Sequence, residues 1–375
     1  MAVGDIITYI MLFFALIGAA DRAIGCRLGP GKSFEKGIEA AGALILAMIG
    51  PIALAPLIAS SLAPVLTPVF GKLGIDPSVI AGLFLANDSG GWPLALALAN
   101  DAAVGRLTGS VMGSTMGCAL LFAFPVGFAL TPADKRPLYA KGLAIGLITV
   151  PLACFVSGLC FGIGLGTLLL NLLPLIVFSL IITAGLLFFE RVTMKIVTVF
   201  GAILTGILTV ALAAAVVIKV LRLDVPQLGT FDEGLEIIGG IVIFLSGAFT
   251  LLYFLEKLLG KSFGRLGKKA GMDEASVMGL ITSSVNAIPT FGMMKDMNDR
   301  GVVVNAAYIV PASFIIGDHL AFQLTVDTST AVPFLVGKLA GGVAAIAIAC
   351  AMTRERMTTG RRNHALETEM NSCGS

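Results

Sequence analysis

The chain has 375 residues, of which 57% are hydrophobic and 13% charged, with a formal net charge of +2. Soluble globular proteins carry about a quarter charged residues. A mean hydropathy of +0.97 therefore excludes an ordinary soluble domain and implies an all-α polytopic membrane protein, while the small net charge leaves no footprint for nucleic acid.

The N-terminal MAVGDIITYIML has no Lys or Arg before its apolar run and no small-residue cleavage site. It is expected to be a retained first helix rather than a signal peptide. Apolar segments of spanning length follow at 5–21, 37–62, 78–100, 104–130, 138–160, 168–189, 194–220, 235–259, 275–297, 302–323 and 331–352. About 20 such residues cross a bilayer. The tail after Thr353 is polar and expected to be disordered. The six cysteines have no metal-like spacing, so no disulfide, metal site or cofactor is expected.

An internal repeat runs at an offset of 197. FEKGIEAAG (34–42) matches FDEGLEIIG (231–239), with Phe34/Phe231, Gly37/Gly234, Glu39/Glu236 and Gly42/Gly239 identical. Gly50/Gly247 continues it, and GIDPSVIAGL (74–83) meets GMDEASVMGL (271–280). The offset drifts to 200 where GCALLF (117–122) meets GDHLAF (317–322). The chain divides into a first repeat (1–165), a linking helix (166–192), a second repeat (193–353) and a tail (354–375).

Two segments in corresponding places are broken by polar residues, Gly and Pro. The first is LANDSGGWPLALAL (85–98) and the second ITSSVNAIPTFGMMKDM (281–297). Paired interruptions of this kind point to a transporter binding site. Were all eleven segments to span, Lys and Arg would divide 13 to 12 between the two faces. With the two broken segments as re-entrant hairpins, nine segments span, and one face collects 20 of the 25 basic residues. The other keeps Lys72, Arg106, Lys219, Arg222 and Lys338. The positive-inside rule selects the second arrangement, which inverts the repeats and puts the N-terminus outside and the C-terminus in the cytoplasm.

Asn87, Asp88 and Ser89 sit at the first break. Such residues cap helices at ordinary turns, but between apolar flanks an ionisable group marks a site. A lone carboxylate suits a cation, and Trp92 could add a cation–π face or serve as an interfacial anchor. The second break offers Ser283, Ser284, Asn286 and Thr290, without charge; the hydroxyls could also back-bond to carbonyls. Asp318-His319 replaces Cys118-Ala119 of the first repeat, which suggests function, either a locked His tautomer or proton transfer; a structural pair between helices is the alternative. Glu39 and Glu236 are expected to have a structural role, such as satisfying hairpin backbone. GIGLG (162–166) resembles a phosphate loop only as a string and is expected to serve helix packing or a turn. An intramembrane enzyme with Asp88 and Asp318 as acid and base is weakened by the lack of nucleophile–base spacing.

The sequence resembles the EutH-type ethanolamine permeases of bacterial ethanolamine-utilisation operons, from Asp5 to about Met352. The carrying motifs are ITYIMLFFALIGAADR (7–22), FEKGIEAAGALILAMIG (34–50), Asp88 to Gly91, NAIPTFGMMKDMNDRG (286–301), GDHLAF (317–322) and VGKLAGGVAAI (336–346). The family often has Asn-Asn-Ile-Pro where this chain has Asn286-Ala287-Ile288-Pro289, and Phe where it has Trp92. The resemblance implies a multi-pass protein of the bacterial inner membrane that moves ethanolamine, with the bilayer as its other partner and a homo-oligomer left open. It implies that Asp88 pairs with the ammonium and that Asn87, Ser89, Ser284 and Asn286 hydrogen-bond the substrate. Trp92 or Phe291 would pack on it, and Asp318 and His319 would complete the site or relay a proton. Another small amine or zwitterion, moved with a coupling ion, remains the alternative.

Overall fold

A computed structural model describes the backbone of residues 3–372 and, outside 259–266, 268–269 and 354–372, their side chains. The described residues form helices and turns and no strand. In chain order, α1 (Val3–Ala23) and α2 (Pro30–Leu73) precede two short helices, α3 (Val79–Phe84) and α4 (Trp92–Leu98). Next come α5 (Ala102–Leu130), α6 (Arg136–Cys160), α7 (Leu165–Phe188), α8 (Glu190–Leu221) and α9 (Phe231–Lys269). A second short pair, α10 (Glu274–Val285) and α11 (Ala287–Met293), leads to α12 (Asp299–Ala312), α13 (Asp318–Val326) and α14 (Ala331–Ser372).

Among the described residues, eight helices are long and apolar enough to cross a membrane. They are α1, α2, α5 to α9 and the Thr328–Thr353 stretch containing the start of α14. The expected span 302–323 is not one helix. It is divided into α12 and α13 by Ser313–Gly317, just after Pro311, and Phe314 takes a left-handed φ of 57° there. The tail also departs from expectation, since its backbone continues α14 as helix to Ser372. Of the GIGLG stretch, residues 162–164 lie in the turn between α6 and α7, and Leu165 and Gly166 open α7.

Each broken segment turns back on itself and is clasped at its base by a carboxylate. Gly74 and Gly271, both at positive φ, end the preceding stretch, and an Asp two residues later starts the hairpin. Asp76 accepts from the Ser78 N–H at 2.9 Å, and its other oxygen accepts from the N–H groups of Asn100 and Asp101 at 2.9 and 3.0 Å, where α4 has ended. Asp273 accepts from the Ser276 N–H at 2.8 Å and from the Asn298 N–H at the far end of the second hairpin. The next helices start from those same ends, with Asp101 accepting from Ala103 and Val104 and Asn298 accepting from Gly301. The expected role of Glu39 and Glu236 thus falls to Asp76 and Asp273; both glutamates are exposed.

Close backbone approaches recur at the repeat offset. Gly37 abuts Ser246 while Gly234 abuts Ile49, and Gly50 abuts Leu208 while Gly247 abuts Met11. Residue pairs related by 197 thus exchange partners, the reciprocity of a two-fold contact. Within each half, Gly82 packs on Thr108 and Gly279 on Asn305, and Gly117 lies on the Leu85 carbonyl as Gly317 lies on the Val285 carbonyl. On α5, Gly105, Gly109, Gly113 and Gly117 face the first hairpin at Ala99, Trp92, Asn87 and Leu85 in turn. Small residues at spacing four let backbones meet in a bundle.

Helices α1, α2, α8 and α9 pack mainly on one another, and α6, α12 and α14 form a second dense group. Ion pairs Arg106–Asp327 (3.2 Å) and Lys135–Asp299 (2.8 Å) join the start of α5 to the end of α13 and the start of α6 to the start of α12. An eleven-crossing chain would place the members of each pair on opposite faces, so these contacts exclude it.

Asp76→Asn should speed amide exchange at Asn100 and Asp101 and leave Asn298 unchanged, and Asp273→Asn should do the reverse. Each should cost about 1–3 kcal/mol in stability; unchanged exchange would remove the clasp. Gly117→Ala and Gly317→Ala would drive a methyl into a backbone carbonyl, for an expected loss of about 1–3 kcal/mol or more by thermal unfolding.

Candidate functional site

The hairpin tips converge on a cavity of about 280 Å³. Asp88 and Ser89 enter it from the first break, and Asn286 and Ile288 from the second. Its other walls are Ala43, Leu44, Leu46 and Ala47 on α2, Cys118, Leu121 and Phe122 on α5, Thr205, Leu208 and Thr209 on α8, and Phe314, Asp318 and His319 at the α12–α13 break. The size fits a small solute, below the range of drug-sized ligands. Two larger recesses, about 520 and 590 Å³, lie among helix ends and loops around Arg300 and Arg222 and hold none of the sequence candidates.

The first tip is built by an extended stretch at Leu85 and Ala86 followed by a turn. The Ala86 carbonyl accepts from the N–H groups of Ser89 and Gly91 at 3.1 and 2.8 Å. The Ser89 hydroxyl donates to the Asp88 carboxylate at 3.2 Å. Asn87 is fully buried behind the tip and is not on the cavity wall; neither side-chain polar atom has a protein partner. Trp92 also lies off the cavity, packed against Gly109. It is anchored in the core rather than at a membrane interface.

At the second tip, Asn286 accepts from the Ile288 N–H at 2.9 Å and so caps α11 while facing the cavity. Ser284 stands behind the wall, with its hydroxyl 2.9 Å from the Leu280 carbonyl and 2.8 Å from the Tyr308 hydroxyl. Thr290 ties the two arms together by donating to the Gly279 carbonyl at 3.1 Å. The carbonyls of Ser283 and Ser284 accept from the N–H groups of Phe314 and Ile316, both at 2.9 Å. The two breaks of the second repeat therefore satisfy each other.

Phe291 is fully buried between Phe122 and Tyr139, with ring centroids at 5.7 and 5.9 Å, and does not reach the cavity. Its aromatic faces are instead Phe122 and Phe314, 5.3 Å apart. Phe314 owes its position to the left-handed turn, an arrangement that costs about 1–3 kcal/mol and tends to mark functional sites. It stacks 4.9 Å from the His319 ring.

One residue placed in a loop by the charge count belongs here. Lys338 lies inside α14 and is fully buried. Its ammonium donates to the Ser114 carbonyl at 2.9 Å, stands 3.4 Å from His319 Nδ1 and 5.3 Å from the centre of the Phe334 ring. Ser114 lies in a stretch of α5, Thr108–Gly117, wound as a π-helix, a form found mostly at functional sites. The signal for Lys338 was an ionisable residue within an apolar helix; its nearness to the segment start concealed it.

Residues 3–352 match the protein family described as Ethanolamine utilisation protein, EutH. The chain is 38% identical over 368 residues to a probable ethanolamine permease EutH of Listeria monocytogenes, covering 98% of each chain. It is 35% identical to a protein of the same description from Escherichia coli, covering 97% of this chain and 99% of that one. A Bacillus subtilis protein, YxeR, described as uncharacterized, is 37% identical over 94% of this chain and 96% of its own. No solved structure matches. With relatives matched over nearly the whole of both chains and a family match across nearly all of its helices, this chain belongs to the EutH family.

Proposed function

We propose that the protein is a permease that takes ethanolamine into the bacterial cytoplasm through the cavity between the hairpin tips. One observation carries the reading. Asp88 and Asn286, from two breaks far apart in sequence, line the same small cavity. The naming of relatives in Listeria and Escherichia as probable ethanolamine permeases supports the choice of substrate.

Ethanolammonium carries three N–H donors at one end and a hydroxyl at the other. Asp88 takes the ammonium through a charge-assisted hydrogen bond. Phe122 and Phe314 offer ring faces to the cation. Ser89, Asn286, Thr205 and Thr209 supply partners for the hydroxyl. Asp318 and His319 complete the wall, and Asn87, Ser284, Trp92 and Phe291 hold it from behind. The description of the relatives as permeases disfavours the enzyme reading.

In this proposal the two repeats are inverted and the hairpins re-entrant. The N-terminus faces outside, and the linking helix, α7, makes the crossing that inverts the second repeat. With Lys338 buried, 20 of the 25 Lys and Arg fall on the cytoplasmic face and four on the other. The cavity lies where the α1–α2–α8–α9 group meets the hairpins, so alternating access is read as rocking between these bodies.

Uptake of labelled ethanolamine into proteoliposomes tests the function. Asp88→Asn should lower uptake by at least about tenfold, since the ammonium loses its ionic partner; unchanged uptake by normally inserted protein would remove Asp88 from the site. Absence of uptake by the wild type would end the ethanolamine reading. For topology, in a cysteine-free background, Asn100→Cys should react with an impermeant thiol reagent in intact cells. Asp134→Cys should react only after permeabilisation; the reverse pattern would invert the orientation.

A further inference from the structure

Asp88 is not the only carboxylate on the cavity wall. Asp318 faces the same space from the opposite repeat, and the two lie within electrostatic range of each other. Lys338 stands behind them, fully buried and in electrostatic range of Asp88. Its ammonium is fixed by the Ser114 carbonyl at 2.9 Å and the Phe334 ring at 5.3 Å. An ammonium has donors only, so a charged Lys338 requires His319 Nδ1, 3.4 Å away, to accept that contact from a neutral imidazole. The thiols of Cys118 and Cys154 also lie in electrostatic range of the lysine, and free thiols are uncharged at neutral pH. The groups around the cavity that bear charge when ionised are therefore two carboxylates and one amine.

We propose that Lys338 is a resident cation that cancels one of the two carboxylates, Asp88 and Asp318, and so sets the site to accept one singly charged ammonium and to refuse a dication. Buried charge is tolerated where it is balanced and costly where it is not. With a monocation bound, the charges sum to zero; with a dication they leave a surplus of one. Removing the lysine reverses the rule. Selectivity then rests on a repulsive element as well as an attractive one. The proposal builds on the cation-binding reading of this cavity, but it concerns charge count rather than the identity of the amine.

The test is ligand-induced thermal stabilisation of the purified protein, titrated with ethanolamine, 1,3-diaminopropane (a dication at neutral pH) and neutral ethylene glycol. Wild type should be stabilised by ethanolamine at concentrations at least about tenfold below those needed for the diamine. Lys338→Met should reverse that preference, and Asp318→Asn should weaken ethanolamine by about tenfold or more. The double variant Asp318→Asn/Lys338→Met restores the charge sum, and should recover most of the lost affinity and still refuse the diamine, a coupling that independent sites would not show. A double variant no better than Asp318→Asn would overturn the proposal, as would a wild-type preference retained in Lys338→Met. Should Lys338→Met alone fail to fold, the comparison of the double variant with Asp318→Asn decides. A wild type that takes a different monocation in preference to ethanolamine would overturn the ethanolamine reading and leave the charge rule standing. A wild type stabilised by no ammonium compound would overturn both.

Discussion

Backbone that leaves the helix inside an apolar bundle must find its hydrogen-bond partners within the protein, and much of this structure follows from meeting that demand. Each hairpin is closed at its base by one aspartate that accepts from both ends of the excursion. At the tips the two repeats use different means. The second break gives its carbonyls to the N–H groups of the α12–α13 break, so that two interruptions complete one another. The first break satisfies itself through the Ala86 carbonyl and lies on a row of glycines in α5, which is widened into π turns rather than broken. The turn that completes the second break also swings Phe314 against His319. Backbone satisfaction thus positions an aromatic wall of the cavity.

The same demand explains why the cavity is polar on one side and apolar on the other. Asp88, Ser89 and Asn286 come from the two tips, and Asp318 and His319 from the first turn of α13, just past the α12–α13 break. The opposite wall is intact helix from α2 and α8, and supplies Ala43, Leu44, Leu46, Ala47 and Leu208, with Thr205 and Thr209 as its polar members. The cavity's charged and hydrogen-bonding groups therefore gather at and beside the breaks in the helices.

Much of this was legible in the sequence, and the reasons differ from residue to residue. The two hairpins were visible because Gly, Pro and polar residues interrupt long apolar runs, and because loop charge made little sense if both runs crossed. Asp88, Ser89, Asn286, Asp318 and His319 were legible as polar residues where apolar ones were expected. The division of α12 from α13 was not, because Ser313–Gly317 carries no charge and Phe314 is an unusual residue for a left-handed turn. The aromatic faces were misassigned for a similar reason. Trp92 and Phe291 are adjacent in sequence to the breaks, yet the helical turn directs them into packing against Gly109 and Tyr139, whereas Phe122 and Phe314 arrive from other segments. Lys338 was visible as a charge but was counted as a loop residue, since it lies only seven positions into α14. The clasp residues Asp76 and Asp273 were part of the repeat from the start, but a repeat records similarity without saying which matched residue bears the load; Glu39 and Glu236 matched as well and are exposed.

The halves share their construction and differ in their chemistry, and the difference falls where the cavity is. Residues related by the offset of 200 line it from both sides, with Ala86 opposite Asn286, Asp88 opposite Ile288 and Cys118 opposite Asp318. In each pair the more polar or charged member comes from one repeat only. The glycine contacts, by contrast, are the same in both: Gly117 on Leu85, Gly317 on Val285. Backbone packing constrains the two halves alike, because the frame has to close on itself wherever a hairpin lies on its neighbour. Side chains at the cavity are under no such requirement. Four carboxylates from a fully symmetric arrangement would repel one another in an apolar surrounding, and a wall with none would offer a cation no compensation for leaving water. One carboxylate from each repeat, with a single lysine from the second to offset one of them, is an arrangement that a two-fold frame supports only by breaking its own symmetry at the cavity.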